Sequence, residues 1–445
     1  MPISPLLSFC FPRSAPGPHK SIGYAHIRAT PSIPSTLPSP TLDGRALFDM
    51  EEVSYAVYYP ANPGRGSWWG GEGKVGWFPE PIGAFVAGYE RFLGKQGLGW
   101  IFRGLQVGIG HLKFPAYLNA PLVAPLSQKY PIVIFSHGLA GTRNTYSQYC
   151  SAIASQGYIV LAVEHRDGSA PAVVLKPGES GEERILSYVK YPDLEWKDET
   201  QPSLEQFRTL QLDYRVKEIY ETYLSFLDML GSSKGESSVS GLSQEKKVEW
   251  LESFRDTVNI DDLSLAGHSF GGGAVLHVVQ TPPPESYSKL PVIRAIALDP
   301  WLEPLPTPTA MSDPKDNLPS TLVINAPGFT EWSTHFNRLL ELCQAKESNA
   351  NLVTVLGGNH QSFSDFPLLN PTGPGSAIEL LNVIHELTNS FLLDKFTESP
   401  LIIDKVPDRG EFQRGKDGHM AGKRGQVILH VLSESQSHND VAPVN

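Results

Sequence analysis

The sequence predicts an α/β protein built on a mostly parallel, doubly wound sheet flanked by helices. Three observations predict it. Short apolar runs of β-type residues recur from residue 131 onward, helical patterns separate them, and several of these runs end in turn signals carrying polar side chains. Strands alternating with helices imply crossover connections, and such crossovers give parallel pairing with helices over both faces.

Along the chain, residues 1–45 are rich in Pro and Ser and are expected to be disordered or loosely packed. Residues 51–60 (EEVSYAVYYP) alternate and are rich in Tyr and Val, so they read as a strand. Residues 66–122 hold Trp68, Trp69, Trp77, Phe78, Phe85, Tyr89, Phe92, Trp100, Ile101, Phe102 and Phe114 among glycines, a pattern that fits neither simple period. PIVIFSHG (131–138) is a buried strand ending in a turn, 142–156 fits a helix, and GYIVLAVEHRDG (157–168) is a second buried strand followed by a loop.

Leu212, Val216, Ile219, Tyr223, Phe226, Leu227 and Leu230 recur at helical spacing within 207–230, and a Gly/Ser-rich surface loop fits 231–243. LSLAGHSFGGGAVLHVV (263–279) reads as strand, tight turn and helix. Strands follow at 292–300, 320–327 and 351–360, and a helix at 379–392. The domain reading is a single α/β domain over 46–398 with a polar tail over 399–445.

Composition narrows the function classes. The 445 residues are 40% hydrophobic and 19% charged, enough to build a core. A net charge of −11 with no basic block excludes a nucleic-acid binder, since phosphate contacts need clustered Lys and Arg. Cys10, Cys150 and Cys343 form no paired metal-binding motif and fit a reducing compartment. No apolar run reaches the length of a membrane span, and the N-terminal stretch lacks the basic region of a secretory signal, so a cytoplasmic location is expected.

Chemistry concentrates at Gly267-His268-Ser269-Phe270-Gly271. The spacing G-x-S-x-G is a weak signal by itself in a chain with 40 glycines. Its context is informative, because a β-type run precedes it and a Gly-rich, then apolar, run follows. That is the strand–turn–helix arrangement in which a serine is held in a strained conformation with its hydroxyl projecting from the backbone. Gly267 and Gly271 are the positions where a side chain would clash across the turn. The bland reading is an ordinary Gly-rich turn with an idle serine.

A serine hydroxyl needs a base, and the base needs an orienting acid. In the α/β-hydrolase fold the chain order is serine, acid, histidine. Asp299 ends the strand after the elbow helix, and His360 follows the last strand pattern in a Gly-Gly-Asn-His loop. His268 adjoins the serine, His277 and His385 fall in helices, and His335 follows no strand edge; Glu331 and Asp313 are fallback acids. Asp299 also fits a turn opener before Pro300, and His360 a surface loop residue. The oxyanion donors are expected to be the amides of Phe270, next after the nucleophile, and of Leu139 in the Ser136–Gly141 loop, which also fits an ordinary βα turn.

With these residues in hand, the chain resembles the platelet-activating factor acetylhydrolase family. The matching stretches, in family order, are SHGLAGTRNTYS (136–147), GYIVLAVEHRDGSA (157–170), GHSFGGGAV (267–275), ALDPW (297–301) and GGNHQSFSDF (357–366). The resemblance implies a calcium-independent phospholipase A2-type esterase that cuts acetyl, short or oxidised sn-2 acyl chains from phospholipids. It also implies Ser269, Asp299 and His360 as triad and Leu139 and Phe270 as oxyanion donors. The Pro-rich segment 301–320 departs from the pattern, as does the variable stretch 167–206, and both bear on acyl preference.

Two readings fit the aromatic segment. Trp77, Phe78, Phe85 and Phe92 form a patch for transient lipid-surface contact, or they pack over the sheet or line the acyl pocket, the blander and favoured reading. Glu164-His165-Arg166-Asp167 reads as a salt-bridged loop bracing the site. No metal or organic cofactor is expected. Alternatives are turnover of other esters, a peptidase on the same fold, and a non-catalytic binding protein. The sequence does not specify an oligomeric state.

Overall fold

The computed structural model describes residues 11–12, 14–33, 37, 40–63, 74–94, 112–125, 127–176, 183–196, 202–231, 238–306, 319–345, 349–370 and 374–433. The strands are β1 (Ile22–Ala29), the small pair β2 (Thr41–Leu42) and β3 (Arg45–Ala46), β4 (Val53–Pro60), β5 (Lys74–Gly76), β6 (Lys113–Leu118), β7 (Tyr130–Ser136), β8 (Ile159–Val163), the pair β9 (Ala172–Leu175) and β10 (Arg184–Ser187), β11 (Ser238–Val239), β12 (Val258–His268), β13 (Val292–Leu298), β14 (Ser320–Asn325), β15 (Ala350–Val355) and β16 (Val427–Val431). The helices are α1 (Ile82–Leu93), α2 (Ser147–Ser155), α3 (Leu204–Gly231), α4 (Gln244–Arg255), α5 (Phe270–Gln280), the single turn α6 (Pro327–Glu331), α7 (Ser333–Gln344) and α8 (Pro374–Leu392).

One 12-stranded sheet runs in the order β16-β15-β14-β13-β12-β7-β8-β4-β1-β6-β5, with β11 paired to β1. The six strands from β15 to β8 are mutually parallel, and antiparallel strands β16 and β4 flank them. The parallel strands read as continuous apolar runs because both their faces are covered. On β7, Ile132 and Ile134 join the core beneath α3, α4, α5 and α7, while Val133 and Phe135 join the core beneath α1, α2 and α8.

The chain passes from β7 to β8 on one side and returns to β12 on the other. The carboxyl ends of β7 and β12 therefore border a reversal of strand order. Such a point opens a crevice in doubly wound sheets, and ligands bind there.

Two sequence expectations are corrected, and a third, which left two readings open, is decided in favour of burial. Residues 22–29, within the stretch expected to be loosely packed, form β1 between β4 and β6, registered from Ile22↔Pro60 to Ala29↔Val53. Ile22, Ala25 and Ile27 are fully buried there, so the folded unit begins before residue 46. Surrounding prolines hid the strand, which gains its partner only 24 residues later. At the other end, Val427–Val431 in the polar tail pairs antiparallel with β15 and covers the sheet edge. Its five residues are too few to show a period. Third, the aromatic segment contains β5, α1 and β6, while Trp68, Trp69, Trp100, Ile101 and Phe102 lie outside the described residues. Trp77, Phe78 and Phe85 are buried in the core and offer no exposed patch; Phe92 is 38% exposed and packs edge-on against Tyr188. The sequence also left α4 and α7 unassigned.

Candidate active site

The reversal of strand order sets a serine at its edge. β12 ends at His268 and α5 begins at Phe270, so Ser269 alone makes the turn, at φ 56° and ψ −118°. This is a sparsely populated conformation for a residue with a Cβ, costing on the order of 1–3 kcal/mol. Its backbone is held from both sides: the Ser269 amide donates to Leu298 O, and Ser269 O accepts from the amides of Gly273 and Trp301, each at 2.9 Å. The two elbow glycines have steric causes. A Cβ on Gly267 would stand 2.3 Å from Gly271 O, and one on Gly271 would stand 2.0 Å from Ser136 O.

Two further strand ends deliver the partners. Asp299 follows β13 at φ 40°, with its amide bonded to Ile324 O of β14. His360 opens a 3-10 turn after β15, where Asn359 and Ser362 cap each other. His360 Nε2 lies 2.9 Å from Ser269 Oγ, and His360 Nδ1 lies 3.0 Å from Asp299 Oδ2. The remaining carboxylate oxygen, Oδ1, accepts the Ala326 amide at 2.6 Å, at the start of α6. Burial pushes the Asp299 carboxyl up to about 6, partly opposed by its hydrogen bond to His360. Thus the three residues predicted from sequence converge, with the acid buried and the imidazole side chain 34% exposed.

Two rings pack against the imidazole: Phe329 of α6 stacks on it at 4.6 Å and 7°, and His268 lies at 4.5 Å with a 38° tilt. Burial, followed by the nearby His360, holds His268 well below its ordinary pKa, so it is neutral. The Tyr146 hydroxyl meets His268 Nδ1 at 2.7 Å and the Gly138 amide at 3.2 Å. The loop after β7 therefore lies against the elbow. A Cβ on Gly138 would come 3.0 Å from Ser269 Cβ. Among the described residues, the Leu139 and Phe270 amides have no hydrogen-bond acceptor, whereas Ala140 donates to Ser169 O and Gly141 to Gly138 O.

The fallback residues are engaged elsewhere. Glu331 binds His419 and the Met420 amide, and His335 bonds Pro300 O at 2.8 Å. His277 lies beside Asp213, and His385 packs on Tyr149. Asp313 lies outside the described residues. His268, Asp299 and His360 could bring ligand atoms within 4.8 Å of one another, as a metal would require. However, His360 already directs both nitrogens to Ser269 and Asp299, and His268 Nδ1 is used by Tyr146.

Sequence reading missed Phe329, Tyr146 and Asp365. Asp365 accepts from Trp77 Nε1 (2.9 Å), Ser147 N (2.8 Å), Ser147 Oγ (2.6 Å) and Gln148 N (3.1 Å), pinning the start of α2 to the turn that carries His360. Its place five residues after His360 was the available signal.

Residues 50–385 match the family model described as platelet-activating factor acetylhydrolase, isoform II. The chain belongs to this family. Curated platelet-activating factor acetylhydrolases resemble it at 31% identity over 273 residues in Gallus gallus and at 30% over 331 residues in Cavia porcellus. These alignments cover 60% and 72% of this chain and 60% and 67% of the relatives. The chain thus spans about three fifths of the length of the chicken, dog and bovine members. Among solved structures, a ferulic acid esterase from Streptomyces cinnamoneus shares the fold with a TM-score of 0.51 and 16% identity, covering 92% of this chain and 96% of that one.

The stretches by which the acetylhydrolase family was recognised now have physical roles. GHSFGGGAV is the elbow and the start of α5, ALDPW carries Asp299, and GGNHQSFSDF carries His360 and its tether Asp365. VEHRDGSA, expected to be a bracing ion-paired loop, is one. Glu164 pairs with Arg143, Arg166 with Glu52, and Asp167 with Arg215, all at or near full burial.

Proposed function

We propose that this chain is a serine esterase that hydrolyses the sn-2 acetyl, or short or oxidised acyl, ester of phospholipids. The observation that carries the proposal is the imidazole of His360 bridging Ser269 Oγ and Asp299 in a site where the adjacent amides of Leu139 and Phe270 are unused. Family membership supports the substrate class.

In this reading, Ser269 Oγ attacks the ester carbonyl carbon while His360 Nε2 takes the hydroxyl proton. Asp299 fixes the imidazole so that Nδ1–H points at the carboxylate, and it stabilises the imidazolium that forms. The carbonyl oxygen becomes an oxyanion held by the Leu139 and Phe270 amides, at the N-terminal end of α5, whose dipole favours negative charge. Collapse of the intermediate expels the lysophospholipid alcohol, which takes the proton from His360. Water then attacks the acyl carbon and gives a proton to His360; the second intermediate breaks the bond to Ser269 Oγ, which takes that proton back from His360, and the carboxylic acid leaves.

Each step uses side chains and amides of this chain, and we propose that turnover is independent of calcium. Phe329, stacked on the imidazole, limits its tilt through both proton transfers. Membrane contact by Trp77, Phe78 and Phe85 is not part of this reading, because the three are buried. No helix among the described residues is long and apolar enough to cross a membrane. A cytoplasmic setting fits Cys150 and Cys343, which are both buried and unbridged.

The test is fluorophosphonate labelling and ester turnover, with Ser269→Ala as the control. Wild type should label and release acetate from an sn-2 acetyl phospholipid. Ser269→Ala should not label and should lose about 10³-fold or more in kcat with its fold intact. Near-normal turnover in that variant would overturn the nucleophile. Turnover of a long-chain sn-2 phospholipid equal to that of the acetyl ester would overturn the substrate class. EDTA should leave the rate unchanged; loss of activity restored by calcium would refute metal independence.

A further inference from the structure

Beneath the candidate site lies a group that the triad chemistry does not use. Arg215, on α3, has none of its side chain exposed to solvent. Its Nε donates to Asp167 Oδ2 at 2.8 Å, Nη1 to His137 O at 2.5 Å, and Nη2 to Ser169 Oγ at 2.6 Å. The flat guanidinium also covers the Phe270 ring, 4.4 Å from its centroid.

These contacts select particular places. His137 O belongs to the residue two before Leu139, in the loop after β7. Phe270 is the residue after Ser269. Arg215 therefore touches both segments that present the unused amides, one by hydrogen bond and the other by a cation–π contact. Ser169 adds a second link, because its carbonyl accepts the Ala140 amide at 2.8 Å. Thus α3, the Asp167–Ser169 loop, the Gly138–Ala140 loop and the start of α5 meet at one cation.

A buried arginine is costly unless its charge and its donors are matched. Here they are. Burial alone would raise the Asp167 carboxyl, but the Arg215 guanidinium beside it reverses this and holds it below the usual carboxylate range. The neighbouring Glu218 is driven well above the usual range, by burial first and then by Asp167. His165 beside it falls well below its ordinary value, by burial first and then by Arg215, and its Nδ1 lies 2.6 Å from Glu218 Oε2. His137 is held down to about 3 by burial and then by Arg215; as a neutral ring it donates from Nδ1 to Gly138 O at 2.8 Å. Arg215 and Asp167 form a fully buried ion pair through Nε and Oδ2, and the planar guanidinium gives its other bonds fixed directions.

We infer that Arg215 is a positioning residue that fixes the spacing between the Leu139 and Phe270 amides, and so the stabilisation of the oxyanion. The inference rests on the serine-esterase reading above. Arg215 touches neither substrate nor reacting atoms; it acts through the His137 carbonyl and the Phe270 ring.

The test uses the full chain with Arg215→Lys, which keeps the charge but loses the fork, and Ser169→Ala, which keeps the Arg215–Asp167 ion pair but removes the hydroxyl bonded to both of its members. Three quantities are measured with a soluble acetyl ester as substrate: kcat, KM and the inhibition constant of a trifluoromethyl ketone. That inhibitor adds to the serine as a hemiketal whose oxygen occupies the oxyanion position. Arg215→Lys should lower kcat by about 10²-fold, the scale of losing one oxyanion donor, with KM within about 3-fold. The ketone's inhibition constant should weaken by the same factor as kcat/KM. Ser169→Ala should move both in the same direction by about 5-fold, and it carries the test should Arg215→Lys fail to fold.

A folded Arg215→Lys or Ser169→Ala enzyme with wild-type kcat and ketone affinity but a lower Tm would overturn the inference, leaving Arg215 a stability residue. A wild-type chain that neither labels with fluorophosphonate nor turns over esters would instead overturn the esterase reading, and the inference with it.

Discussion

At the scale of single residues, the site sets stability against function. Asp299 is a fully buried carboxyl whose own pKa is pushed up to about 6. The raised value means that the folded state holds its proton more tightly than the unfolded chain does. This group therefore favours folding below about pH 4, and that contribution is lost as pH rises through about 6. The proposed reaction needs the opposite state, since only the carboxylate can hold the imidazolium. The expected outcome is an acidic limb in kcat/KM, falling as pH drops through about 6, measured with an uncharged ester. In Asp299→Asn, turnover should fall by about 10⁴-fold while Tm at pH 8 is not lowered, because the uncompensated part of the buried charge is gone. An Asn variant that keeps wild-type turnover would reassign the acid.

At the scale of elements, the strand–turn–helix unit from β12 to α5 works only if its backbone can approach β7. The Gly271 position shows why. A methyl group there would meet Ser136 O at 2.0 Å and Ser136 C at 2.5 Å, both backbone atoms of a central strand that has little freedom to move. Gly271→Ala should destabilise the fold by about 3 kcal/mol or more and abolish fluorophosphonate labelling. Gly375→Ala, where the added methyl meets nothing within 4 Å, should leave Tm and turnover unchanged. Equal melting curves for the two variants would show that the β7–α5 approach is not what the glycine serves. The turn with Asp365 is a second coupled element, because a single carboxylate joins Trp77, the first residues of α2 and the turn that starts at His360.

For the whole molecule, what matters is how distant segments close the sheet. β1, near the N-terminus, is an interior strand, and β16, near the C-terminus, covers β15, which leads to His360. Leu356 exchanges hydrogen bonds with the tail in both directions, accepting from Gly425 N (2.9 Å) and donating to Gln426 O (2.8 Å). Truncation after residue 398 removes β16 and exposes an edge. We expect Tm to fall by about 5 °C or more and light scattering to reveal association, followed by thermal melts and scattering at rising concentration. A truncated chain with unchanged Tm would make the tail dispensable.

The parallel strands β7, β8, β12, β13, β14 and β15 were legible because strands buried on both faces read as unbroken apolar runs. β1 and β16 were not. Each is short and lies in a polar or Pro-rich neighbourhood, and its partners come from remote parts of the chain. Trp77, Phe78 and Phe85 show the same limit. An aromatic run reads alike whether it faces lipid or a core, and here the indole of Trp77 is committed to Asp365, 288 residues away.

By itself, the sequence determined the kinds of groups available and their order along the chain: a serine between two glycines, then an aspartate, then a histidine, each after a β-type run. That much is local, because turn sterics and strand periodicity act over a few residues. Only the tertiary structure decided that these ends face one another, that Phe329 and His268 lie against the imidazole, and that Arg215 touches both the loop after β7 and the Phe270 ring. Those relations depend on strand order and on contacts between segments tens to hundreds of residues apart, and no local pattern encodes them.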